Sequence, residues 1–77
     1  MNKTKRKDGI EYGFSYDRGI LRVWESEDNP HGVNFESSCF LAEIQAKNEN
    51  ANRALSLIES YFGKETLSAF MEFISKT

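Results

Sequence analysis

A chain of 77 residues with twelve acids, ten lysines and arginines, one cysteine and one histidine excludes several kinds of site at the outset. A lone Cys39 forbids an internal disulfide, and Cys39 with His31 falls short of the four Cys or His ligands of a structural zinc site. No apolar run approaches the roughly 20 residues of a membrane-spanning helix, and no signal-peptide core follows the basic start, so a cytoplasmic protein is expected.

The chain begins with a cluster of positive charge. Lys3, Lys5, Arg6 and Lys7 give +4 within seven residues. Arg18, Arg22, Lys47, Arg53, Lys64 and Lys76 then face all twelve acids, which leaves −6 for the rest. With no apolar residue after Met1, residues 1–8 read as a flexible basic arm, and residues 9–77 as a single small α+β domain. An acidic body repels nucleic acid and suits a basic protein surface.

From Ile10 the pattern alternates strictly: Ile10, Tyr12, Phe14 and Tyr16 against Glu11, Gly13 and Ser15, as in a half-buried strand. Asp17-Arg18-Gly19 supplies the turn, and Ile20 to Trp24 returns as a second β-rich strand. A three-residue loop would pair Tyr16 with Ile20 and turn Trp24 to the core. A two- or four-residue loop would pair Tyr16 with Leu21 and turn Trp24 outward, and this pairing is favoured because it makes the core face wholly apolar. A slip of one residue exchanges the two faces.

Ser26 to Gly32 reads as a loop, with Asn29-Pro30 and Gly32 as its breakers. The next apolar segment, Cys39 to Ala46, fits either a helix or a strand, and a third strand is favoured. Asn48 or Asn50 is placed to cap a helix carrying Ala51, Ala54, Leu55, Ile58, Tyr61 and Phe62 on one face. Gly63 should end it, and a second helix follows with Leu67, Phe70, Met71 and Ile74. The expected fold is α+β: an N-terminal antiparallel hairpin, extended to three strands, packed against two C-terminal helices.

Catalytic chemistry is sparse. His31 sits in a loop and Cys39 in an apolar run, without the third group that would orient a nucleophile and its base. The glycines match no phosphate-binding spacing, and no cofactor or metal is expected. The chain therefore reads as non-enzymatic.

Surplus apolar surface is the stronger signal. Packing the hairpin on the helices accounts for Ile10, Tyr12, Phe14, Phe40, Leu55, Ile58, Phe62, Leu67, Phe70 and Ile74. It leaves Ile20, Trp24, Leu57, Tyr61 and Phe73 without an evident place in so small an interior. Trp24 with Arg22, Glu25, Glu27 and Asp28 combines an aromatic anchor with a charged rim, the expected partner-binding site. Leu57, Tyr61 and Phe73 are the expected contacts of a homodimer. The leading expectation is a small protein-protein interaction module, an inhibitor or regulator of a larger complex such as phages and plasmids carry. The alternative is a nucleic-acid accessory protein acting through Lys3, Lys5, Arg6 and Lys7 beside aromatic strand residues.

Overall fold

The computed structural model describes residues 1–27 and 34–76, so Asp28 and His31 of the expected loop lie outside the described residues. Four strands, β1 (Asn2–Lys7), β2 (Ile10–Asp17), β3 (Ile20–Glu27) and β4 (Asn34–Phe40), are followed by three helices: α1 (Leu41–Gln45), α2 (Glu49–Phe62) and α3 (Lys64–Ser75). The strands form one antiparallel sheet in chain order. The α+β class is as expected, with four strands in place of three and a short extra helix.

The segment expected as a flexible arm is β1. Asp8 and Gly9, with φ of 54° and 77°, make a two-residue turn that pairs Lys7 with Ile10 and lays the basic run along β2. Positive φ at both turn positions is the hairpin geometry that follows strand twist, and Asp-Gly is among its preferred pairs. Arg18 and Gly19 repeat it ten residues later, with φ of 53° and 79°. The second turn pairs Asp17 with Ile20, and hence Tyr16 with Leu21 and Phe14 with Val23, the favoured register.

That register gives the sheet two unlike faces. Phe14, Leu21 and Val23 are fully buried and Tyr16 nearly so, all beneath α2 and α3. Ile58 and Phe70 come down on them, and Phe70 meets Phe14 and Tyr16 edge-on at ring distances of 5.7 and 5.6 Å. Each such side chain contributes about 1.5–3 kcal/mol of burial.

The ambiguous segment divides at Phe40. β4 ends there, and α1 starts where the Glu43 carboxylate accepts the Phe40 N–H at 2.6 Å. The strand therefore takes only Cys39 and Phe40 of the expected Cys39–Ala46 and reaches back to Asn34, while Leu41–Gln45 is helix. Phe40, expected in the core, is 61% exposed on the side away from the helices. A strand exchanges faces at every residue, so burying Cys39 sends Phe40 out. Lys47, with φ of 57°, closes α1, and Asn48 caps α2 by accepting from the Ala51 N–H at 3.0 Å. Gly63, with φ of 96°, is the one residue between α2 and α3.

Candidate functional site

No described helix packs on the outer face of the sheet. Alternation places Thr4 and Arg6 of β1, Glu11, Gly13 and Ser15 of β2, Ile20, Arg22 and Trp24 of β3, and Glu36, Ser38 and Phe40 of β4 on it. Antiparallel sheets commonly leave one face wet, and most of these side chains are polar. The apolar exceptions are Trp24 near the centre and the cross-strand pair Ile20 and Phe40 at one end.

Trp24 is half-buried although no described helix covers it. Its ring fills the space above Gly13, its register partner, and its Nε1–H donates to Glu11 Oε2 at 3.2 Å. The same carboxylate group lies 3.9 Å from Arg6. Arg22 lies 3.9 Å from Glu36 and Arg18 lies 3.8 Å from Asp17. Exposed pairs of this kind add little stability, but they leave the arginines of this face with an acid beside each. A depression of about 290 Å³, lined by Ser15, Asp17, Arg18, Ile20 and Arg22, opens next to the Ile20 end.

The expected partner-binding residues are divided between the two faces. Arg22 and Trp24 share the open face, whereas Glu25 and Glu27 project to the helix side and Asp28 lies outside the described residues. The acids beside Trp24 are instead Glu11 and its cross-strand neighbour Glu36. Strand pairing sets this rim, and proximity in sequence does not reveal it.

Glu25 belongs to a second cluster. The Tyr61 hydroxyl donates to Glu25 Oε2 at 3.4 Å, and the Tyr61 ring lies 4.7 Å from that of Tyr12. Burial, then the Glu25 charge, pushes the Tyr61 hydroxyl above its ordinary pKa. Lys5 and Lys7 complete a cleft of about 320 Å³ with Tyr12, Glu25, Ser60 and Tyr61. Lys3 sits over the Phe62 ring at 5.4 Å and donates to Thr66 Oγ1 at 3.1 Å, and Lys5 lies 5.7 Å from both Tyr12 and Phe62. The four basic residues proposed for nucleic acid are thus separated, Lys3, Lys5 and Lys7 on the helix side and Arg6 on the open face.

Tyr61 and Phe73, two of the three residues expected at a homodimer contact, pack near different parts of β2. Leu57 and Tyr61 are partly buried against the core, with Tyr61 on Tyr12. Phe73, 41% exposed, lies 6.2 Å from Tyr16. Tyr12 and Tyr16 are about 13 Å apart along the strand at 3.3 Å per residue.

Cys39 is 3% exposed, and burial, followed by the Glu43 charge, raises its thiol pKa. Both effects disfavour the thiolate, which is the nucleophilic form, and suit a thiol that packs in the core.

No protein-family model, curated protein or solved structure matches the chain.

Proposed function

We propose that this chain is a small non-enzymatic protein-binding module that seats the open face of its sheet, from Trp24 to the Ile20–Phe40 pair, on a larger protein and so regulates or inhibits it. The observation that carries this reading is Phe40: a phenylalanine 61% exposed, paired with Ile20 beside a depression, on a face that no described helix covers. Aromatic side chains that fill a partner's pocket contribute disproportionately to protein interfaces.

The electrostatics of this face favour a protein over nucleic acid. Arg6, Arg18 and Arg22 each have a carboxylate within 4 Å, so this face offers phosphates little net positive charge.

The test is affinity capture with the purified chain, wild type beside Phe40→Asp and Ile20→Asp with Phe40→Asp. One protein recovered in stoichiometric amount by the wild type and lost by both variants, with unchanged thermal melts, supports the reading. Recovery of nucleic acid, or a partner retained equally by both variants, refutes it.

A further inference from the structure

The two edges of the sheet are finished differently. On β4 the Phe40 N–H is taken by the Glu43 carboxylate at 2.6 Å, and the Ser38 carbonyl accepts from Asn50 Nδ2 at 2.9 Å. Both groups point away from β3, because Leu21, Val23 and Glu25 bond to Cys39, Ser37 and Phe35, and outward residues alternate with these. Side chains of α1 and α2 therefore cover part of the β4 edge, which hinders a further strand there.

On β1, Met1 and Tyr16 exchange backbone hydrogen bonds in both directions, at 2.8 and 3.2 Å. Alternation from that pair turns the N–H and C=O groups of Lys3 and Lys5 toward β2 and those of Asn2 and Thr4 outward. Every residue of β1 is exposed, and β1 is the end of the sheet. Lysines on an edge strand keep other strands away, and that repulsion is selective: it opposes basic strands and relaxes for acidic ones.

We infer that the β1 edge accepts an extended acidic segment of a partner protein as a fifth strand, with carboxylates at alternate positions facing Lys3, Lys5 and Lys7. In an antiparallel addition Asn2 and Thr4 lie in the hydrogen-bonded pairs. Lys3 and Lys5 then fall in the intervening pairs, whose side chains approach most closely, about 4.5 Å between Cα atoms. Opposite charges directly across such a pair are stabilising and like charges are not. The ammonium groups are already gathered on that side by the Phe62 and Tyr12 rings. A strand satisfies the outward backbone groups, which a nucleic-acid backbone does not, and Glu25 and Glu27 two strands away oppose a polyanion crossing the sheet. This edge is distinct from the open face, so the two readings stand or fall separately.

The probe is a ten-residue peptide alternating glutamate with valine or threonine, titrated into the full chain and followed by amide resonances. Two controls accompany it: the same peptide N-methylated at every second residue, and a single-stranded oligonucleotide of ten bases. Binding should protect the Asn2 and Thr4 amides from hydrogen exchange. It should weaken at least tenfold with the N-methylated peptide, with Lys3→Glu plus Lys5→Glu, and with Thr4→Pro. Proline at position 4 removes an outward N–H and no bond to β2, so the edge is blocked while the sheet is kept. Phe40→Asp should leave the affinity unchanged. Absence of binding at millimolar peptide, equal affinity for the N-methylated peptide, or tighter binding of the oligonucleotide overturns the inference. The N-methylated control decides the matter even if Thr4→Pro fails to fold.

Discussion

The indole of Trp24 occupies the space that a side chain on Gly13 would need: a Cβ there would run into its Cζ2 and lie 2.6 Å from its Cε2. The two residues are register partners on adjacent strands, so glycine gives up its own side-chain packing and the neighbouring tryptophan covers its backbone. A bare glycine weakens a strand, and Trp24 offsets that weakness.

Gly13→Val should therefore displace the indole, costing about 1–3 kcal/mol as overpacking does and shifting tryptophan emission to the red. Trp24→Ala should cost less than the roughly 3–5 kcal/mol of a core aromatic such as Phe14. In the Trp24→Ala background Gly13→Val should cost less than in the wild type, because the ring is gone and only the Thr4 methyl, 3.0 Å from a Cβ there, must still give way. Additive losses in urea denaturation of the two singles and the double would show that the residues are not coupled.

Removal of residues 1–7 should lower the melting temperature by several degrees. The deletion strips the ladder from the outer side of β2 and uncovers the Phe62 and Tyr12 rings beneath the Lys3 and Lys5 stems. A loss of about 1 kcal/mol shifts the midpoint of a domain this size by roughly 4–8 °C. An unchanged melt would mean that β1 adds nothing to the stability of the sheet.

Alkaline pH should destabilise the fold in a definite order. Cys39 and Tyr61 are acids whose folded pKa is raised above ordinary values of 9.0 and 10.0. The unfolded chain therefore releases these protons first. Their stabilisation is intact below about pH 9 and is lost as pH rises through the folded values. Denaturation at pH 7, 9 and 10.5 should show the decline, and Cys39→Ala with Tyr61→Phe should flatten it. A thiol reagent at neutral pH should label Cys39 at least a hundredfold more slowly in the native protein than in denaturant. Comparable rates would place the thiol at the surface.

Much of the fold is legible in the residues. The alternation from Ile10 to Tyr16 with a turn at Arg18-Gly19 fixes the central hairpin, and apolar faces with Asn48 and Gly63 as punctuation fix α2 and α3. β1 was hidden because none of its six side chains is itself buried or apolar, and hydrophobic patterning is silent on a strand that joins through its backbone, its turn and its lysine stems. The Asp8-Gly9 dipeptide was the available signal. Phe40 misled for the opposite reason, since its apolar character suggested the core and only the position of the strand end decides its face. The candidate surface was half legible: outward Trp24 and Arg22 follow from the register, whereas Glu11 and Glu36 become their neighbours only across strands.

The paired turns at residues 8–9 and 18–19 also bear on how the sheet assembles. Every ladder joins strands that follow one another in the chain, so no pairing must wait for a distant segment to arrive. Two-residue closures carry little entropic penalty, and hairpins form in roughly 1–10 μs. The sheet can zip outward from either turn, and the search that remains is the arrival of α2 and α3, whose Ile58 and Phe70 must travel back from the far end of the chain to close over Phe14. The helices then dock on a ribbon that must already be paired, so Gly19→Val, which strains a turn position with φ of 79°, should slow folding by depleting that ribbon while leaving the docking surface intact.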